Sequence, residues 1–114
     1  MRQLLKIFKA LSDSNRLRIV KILQIRSLCV CEITEILQLS NSTVSKHLSI
    51  LRDAELILDD KVGKWVNYQL NDSVTERYVA DLLPLLAKWL PQERVVLEDA
   101  HKVNSVDRNS ICGV

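Results

Sequence analysis

Cys29 and Cys31 stand two residues apart in the string Leu28-Cys29-Val30-Cys31-Glu32, and their side chains could hold a soft ion. Thiolates are the preferred ligands of thiophilic metals and metalloids, and two at close spacing form a chelating pair. Residues i and i+2 lie about 200° apart on a helix but on one side of an extended strand. Both sulfurs therefore reach one ion only where the backbone is extended, or where the helix that follows opens at its start. Without a ligand, the same pair reads as two small buried hydrophobes at a helix start. The remaining cysteine, Cys112, lies near the C-terminus. An odd number of cysteines argues against a disulfide framework and for thiols that are ligands or inert core residues. A bridge between Cys29 and Cys31 themselves would close a strained small ring, which makes thiol oxidation there a rival to metal binding.

A second group is Glu98, Asp99 and His101, which has the donor types of a zinc site but also those of a helical turn facing water. No catalytic set is present. The chain has two histidines and two glycines, no phosphate loop and no nucleophile beside a plausible base, so an enzyme is not expected.

The elements that must carry the thiol pair are helical. Leu4, Leu5, Ile7, Phe8 and Leu11 share one side of a first helix, and Ser12-Asp13-Ser14-Asn15 reads as a stop followed by a new N-cap. A second helix over about 15–25 turns Leu17, Ile19, Val20, Ile22 and Leu23 inward. A short third helix spans Glu32 to Leu37 and ends at the polar run Ser40-Asn41-Ser42. A fourth runs from Ser42 to Ala54 with Val44, Leu48 and Leu51 at i, i+4 and i+7. This is a helix–turn–helix. The period then changes to that of a hairpin. Strands over 57–60 and 65–70 flank a turn from Lys61 to Lys64 that contains Gly63.

A helix–turn–helix followed at once by a basic-tipped hairpin is suited to duplex DNA. Asn41, Ser42, Thr43, Ser45, Lys46 and His47 are the short polar and basic side chains that a groove-reading helix needs. Lys61 and Lys64 at the hairpin tip would reach phosphates, which position a protein without reading sequence. The bland counterparts are a solvated helix face and, for His47, a core histidine. An interaction-only winged helix with inert cysteines is a further alternative.

From about Ser73 a long helical stretch carries Val79, Leu82, Leu83, Leu85, Leu86, Trp89 and Leu90, more apolar surface than one domain core uses. A second copy of the chain would cover it, and Pro84 and Pro91 would kink or restart the helix. Composition agrees with a soluble globular domain, at 47% hydrophobic and 26% charged, and not with disorder. The net charge of +2 conceals a split, basic over residues 1–30 and acidic over 31–60. Lacking a long apolar stretch or a signal peptide, the chain is expected to be cytoplasmic and not bound to a membrane.

These motifs, in their order, resemble the ArsR/SmtB family of metal-sensing winged-helix repressors. The resemblance spans about residues 5–90 and rests on Ala10-Leu11-Ser12-Asp13, Arg16-Leu17-Arg18-Ile19, LCVCEI at 28–33, LSNSTVSKHLSILRDAEL at 39–56 and the hairpin ending VNYQL. It implies a mainly α winged helix–turn–helix of about five helices with a two-stranded β-hairpin wing, dimeric through its terminal helices. On this reading the DNA-binding and dimerisation domain is residues 1–102, and 103–114 form a flexible tail. The resemblance further implies a homodimer on palindromic double-stranded operator DNA, released when a metal or metalloid binds. It puts residues 41–47 on the DNA-reading helix and Cys29 and Cys31 at an arsenic-type metal box. The implied inducer is arsenite, antimonite or an organoarsenical, with no structural cofactor.

Some positions depart from the family pattern. Thr34 occupies the position of the third cysteine in arsenite sensors, which leaves Cys112 as the remaining thiol for a three-coordinate site. Two thiolates would suffice for a methylated or aryl arsenical. Cadmium and lead sensors add N-terminal cysteines, and none precedes Cys29 here. Of the zinc-sensor ligands only Asp72 matches; Val74, Leu85 and Lys88 hold the other positions. Glu55 replaces the usual glycine after the DNA-reading helix; a non-glycine residue in a left-handed cap costs about 1 kcal/mol, so the helix end is expected to differ here.

Overall fold

A capping side chain decides where the second helix begins. The computed structural model describes residues 1–73 and 75–111, without the side chain of Ser110. Helix α1 (Arg2–Leu11) stops at Ser12, and α2 (Ser14–Leu23) starts on Asp13. Asp13 Oδ1 accepts from the backbone N–H groups of Asn15 at 2.8 Å and Arg16 at 3.1 Å. Partial burial opposes the charge on Asp13, but these two hydrogen bonds and the nearby Arg16 guanidinium outweigh it and lower the carboxyl pKa.

After α2 come β1 (Leu28–Cys29), α3 (Val30–Leu37) and α4 (Asn41–Asp53), then the hairpin β2 (Ile57–Val62) and β3 (Trp65–Leu70). Helices α5 (Arg77–Lys88), α6 (Arg94–Ser105) and the single turn α7 (Arg108–Ile111) complete the chain. Ile7, Ile19, Ile22, Ile33, Ile36, Val44, Leu48, Leu51 and Val79 meet in one core, each with almost no exposed surface.

The expected hairpin forms, with two differences. It belongs to a three-stranded antiparallel sheet in the order β1-β3-β2, because Leu28 and Cys29 pair with Tyr68 and Asn67. Its strands also run closer to the tip than expected. Val62 pairs with Trp65, so the turn is Gly63-Lys64 alone, and Lys61 lies within β2 opposite Val66. Gly63 has φ of +62°, the left-handed value that only glycine adopts cheaply at the first position of a tight hairpin turn.

The long last helix is two helices. The chain breaks at Trp89–Glu93, where Leu90 takes φ of 61° and Pro91 follows; Pro84 stays inside α5. Lys21 Nζ donates to the carbonyls of Leu86 and Trp89, both at 2.8 Å, and so closes the end of α5. Helix α6 continues past the boundary expected at residue 102, because Val103 is fully buried in the core. Residues 108–111 of the expected tail are helical.

At the end of α4 the backbone folds into a Schellman motif. Leu56 N–H bonds the Leu51 carbonyl at 3.1 Å and Glu55 N–H bonds that of Arg52 at 2.9 Å. Leu51 and Leu56 are both buried, which holds the motif although Glu55 must adopt φ of 64°. The glycine-free sequence suggests a different helix end, but the left-handed cap is present all the same and carries its strain. Glu55→Gly should raise stability by roughly 0.5–1 kcal/mol in urea unfolding, since relief of left-handed strain exceeds the added chain entropy. An unchanged or lower midpoint would show that the cap is unstrained.

Candidate nucleic-acid interface and thiol site

Helix α4 presents a polar first turn because Ser40 organises it. Ser40 Oγ accepts from the Thr43 N–H at 3.2 Å and donates to Thr43 Oγ1 at 2.9 Å, with Ser42 Oγ also 3.2 Å away. Val44, Leu48 and Leu51 face inward, which leaves Asn41, Ser42, Thr43, Ser45 and Lys46 exposed together at the positive end of the helix. The connection from α3 is short. Gln38 turns left-handed at φ of 57°, its N–H held by the Thr34 carbonyl at 2.8 Å.

His47 differs from its neighbours. It is half-buried, and its Nδ1 lies 3.2 Å from Nη1 of Arg16 on α2. Arg16 in turn donates through Nε to the Ala10 carbonyl at 2.6 Å. Neither a purely solvated residue nor an apolar core histidine fits that placement.

The wing carries both charge signs. Lys64 is exposed at the turn, with its ammonium 5.4 Å from the centre of the Trp65 ring. The guanidinium of Arg108 approaches the same ring at 5.3 Å and donates to Asn67 Oδ1 at 2.8 Å, so α7 is fastened to β3. Arg52 near the end of α4 pairs with Asp59 of β2 at 2.9 Å, which fixes wing and helix relative to each other. Lys61 is exposed but sits within the strand beside Asp60.

Cys29 occupies the junction of these elements. It is the extended N-cap of α3, with φ of −89° and ψ of 169°, and its strand partner is Asn67. Its Sγ accepts from the Glu32 backbone N–H, while Glu32 Oε1 accepts from the Cys29 N–H at 3.0 Å, a reciprocal capping box. Glu32 is 4% exposed, and its second oxygen receives Arg26 Nη2 at 3.1 Å. Burial pushes the Cys29 thiol pKa up and the Glu32 carboxylate adds to this, while backbone N–H groups of Glu32 and Cys31 pull it partly back.

Cys31, the second residue of α3, is half-buried and disulfide-bonded. Cys29 keeps its thiol, so the strained Cys29–Cys31 bridge is not formed. Cys112 lies outside the described residues. The Glu98, Asp99 and His101 group does not converge on a metal. Asp99 is buried and both its oxygens are taken by Arg18, at 2.8 and 3.0 Å, while His101 and Glu98 are exposed. Among the described residues no three acidic, histidine or cysteine side chains gather around one point.

Arg16, Arg26 and Arg108 are the site residues that sequence reasoning missed. Their partners lie 31, 77 and 41 residues away in His47, Val103 and Asn67, beyond any helical or strand period.

Known proteins agree with this architecture. The family model described as "Bacterial regulatory protein, arsR family" matches residues 13–58. The chain is 33% identical over 113 residues to the arsenic resistance transcriptional regulator ArsR2 of Pseudomonas putida, covering 93% of this chain and 94% of that protein. It is 42% identical over 71 residues to the arsenical resistance operon repressor of Escherichia coli, covering 61% of each. Against this and the other most similar relatives, the match spans about three fifths of their length. The structure of reduced HlyU from Vibrio cholerae superposes with a TM-score of 0.67 at 30% identity, covering 80% of this chain and 92% of that one. The chain belongs to the arsR family of bacterial regulatory proteins.

Proposed function

We propose that the chain is a cytoplasmic transcriptional repressor of a metalloid-resistance operon. As a homodimer it binds two-fold symmetric double-stranded operator DNA, and it leaves when a trivalent arsenical or antimonial bonds to its cysteines. One observation carries this reading. Cys29 is at once the N-cap of α3, which packs on the DNA-facing α4, and the strand partner of Asn67 in the wing. A covalent bond at its sulfur disturbs both DNA-facing elements.

The operator would lie along the first turn of α4, with Asn41, Ser42, Thr43, Ser45 and Lys46 at base edges and phosphates and Lys64 on the flanking backbone. Lys61 contributes only at the edge of the wing. The second copy would cover the face where Leu5, Phe8, Leu85 and Trp89 stand exposed. Beside them Leu11, Leu17, Leu82 and Leu86 help line a groove of about 420 Å³ between α1 and α5.

Capture of the inducer is a condensation. Arsenous acid, As(OH)₃, reacts with three thiols to give three As–S bonds and three waters; a monosubstituted arsenical needs two thiols. The disulfide at Cys31 must first be reduced by a cellular thiol. Cys29 and Cys31 supply two sulfurs, and Cys112 is the proposed third, following Arg108, which is fastened beside Cys29's strand partner. Bonding Cys29 removes the sulfur from its capping box, a loss on the order of 1 kcal/mol. Further unwinding toward Cys31 raises the coupling, and about 1.4 kcal/mol already weakens DNA binding tenfold.

The raised Cys29 pKa also selects among thiophiles. A divalent cation must expel the thiol proton into solution, whereas an arsenic hydroxide carries it off as water. Burial at Cys29 therefore penalises cadmium, lead and zinc, and leaves arsenicals unpenalised.

Operator release, followed by fluorescence anisotropy under reducing conditions, tests the reading. Arsenite should release wild type but neither Cys29→Ser nor Cys112→Ser, and phenylarsenite should release Cys112→Ser as it does wild type. Failure of every arsenical to release the DNA would sink the metalloid reading. Release by peroxide alone would instead favour thiol oxidation as the signal, the reading that the disulfide at Cys31 supports.

The same titration across pH distinguishes the ions. Cadmium affinity should rise with pH by about tenfold per unit for each proton displaced, and arsenite affinity should stay flat below the thiol pKa. Parallel pH profiles for the two would contradict the condensation chemistry. For the dimer, Phe8→Glu with Leu85→Glu should yield monomers in sedimentation velocity and abolish tight operator binding. A stable dimer in that variant would place the interface elsewhere.

A further inference from the structure

The contact between Arg16 and His47 has a definite chemical sense. A guanidinium has five N–H donors and no acceptor. At 3.2 Å, Arg16 Nη1 and His47 Nδ1 form a hydrogen bond only when Nδ1 offers its lone pair, which puts the ring proton on Nε2. An imidazolium would instead turn an N–H and a positive charge toward the guanidinium.

Arg16 is not free to swing aside. Its Nε is fixed on the Ala10 carbonyl at 2.6 Å and its Nη2 reaches the Lys9 carbonyl at 3.5 Å, both at the end of α1. The other charged group within electrostatic reach of the ring from α2 is Asp13, whose Oδ1 is occupied by the N–H groups of Asn15 and Arg16. On α4 itself Lys46 is adjacent in sequence and adds positive charge. Among the described residues nothing hydrogen-bonds to Nε2.

We infer that Arg16 is a positioning residue that locks His47 as the Nε2–H tautomer, making it a neutral, single hydrogen-bond donor to a DNA phosphate oxygen at the flank of the reading helix. This rests on the proposed DNA binding. His47 is half-buried beside the exposed row of Asn41, Ser42, Ser45 and Lys46, so it stands at the side of that row, where a groove-bound helix meets the backbone. A neutral donor displaces no counterion, unlike a lysine.

Two measurements test this on the full-length chain. The first is a long-range ¹H–¹⁵N spectrum of the free protein at mildly alkaline pH, with His47 assigned by its loss in His47→Gln. Wild type should show an unprotonated Nδ1 and a protonated Nε2, and Arg16→Gln should relax this to a tautomer mixture. Protonation at Nδ1 in wild type overturns the inference even if the variant fails to fold. The second is the salt dependence of operator binding. His47→Gln, whose amide N–H stands in for Nε2–H, should keep affinity within a few-fold, and His47→Ala should lose about tenfold on operator and mismatched duplex alike. The salt slope of His47→Ala should equal that of wild type, whereas Lys46→Ala should reduce it by about one. A reduced slope for His47→Ala, or a loss confined to one base position, overturns the neutral phosphate donor. If wild type binds no duplex, the proposed function falls and this inference with it; if it binds duplex with Nδ1 protonated, the inference alone falls.

Discussion

Glu32 is the side chain on which the start of α3 and its neighbours depend. A carboxylate that is 4% exposed is tolerable only when its oxygens are hydrogen-bonded, and here each oxygen holds a different part of the fold. Oε1 takes the Cys29 N–H and thereby fixes the start of α3; Oε2 takes Arg26, which carries on to the carbonyls of Val103 and Val106. The N-terminus of α3, the edge strand β1 and the end of α6 are thus joined through one carboxylate. Truncating it would loosen the half-exposed Arg26 guanidinium from the end of α6 and remove the cap of α3, so the elements loosen as a group.

The half that carries α4 and the wing is built for rigidity. Val44, Leu48 and Leu51 leave α4 no freedom to roll, the Schellman turn closes its end, and Arg52–Asp59 ties that end to the wing. Arg16 links the same helix to the close of α1, beside the apolar face proposed for the dimer. On the proposed reading rigid placement matters, because the two α4 helices of a dimer would have to meet grooves about one DNA turn apart. A small tilt at either helix would then cost contacts at both ends of the operator.

Much of this was legible in the residues, and what was not has a common cause. The spacing of Val44, Leu48 and Leu51 and the turn glycine Gly63 are local signals, and each element they announce is present, although α4 is capped by Ser40 and begins one residue before the expected Ser42. At Glu55 the missing glycine suggests a different helix end, yet the backbone turns left-handed there all the same. β1 has only two residues and becomes a strand solely through Tyr68 and Asn67, so no period within 28–29 reveals it. The restart of the long helix was legible in Pro91, but Pro84 stays inside α5, and the left-handed backbone of Leu90 at the break is one that no propensity favours. Asp99 reads as a metal ligand beside His101 until Arg18, 81 residues earlier, is seen to occupy it. Long-range pairs of charged residues carry no periodic trace.

These two halves meet at a single sulfur, and that constrains how a signal can pass. Cys29 Sγ is the acceptor in the capping box of α3, so a bond that draws the sulfur elsewhere withdraws that cap at the same instant. On the proposed reading no separate relay is required between ligand and helix, because the two would compete for one atom. Competition would also limit sensitivity: an inducer would have to supply the free energy that the cap gave up before it showed net affinity, and bound DNA would raise that requirement by favouring the capped state. A weak cap by cysteine, poorer than serine or aspartate would be, keeps the requirement small. The use of a thiol at an N-cap position is therefore consistent with both roles, adequate to hold α3 when no ligand is present and easily surrendered when one arrives.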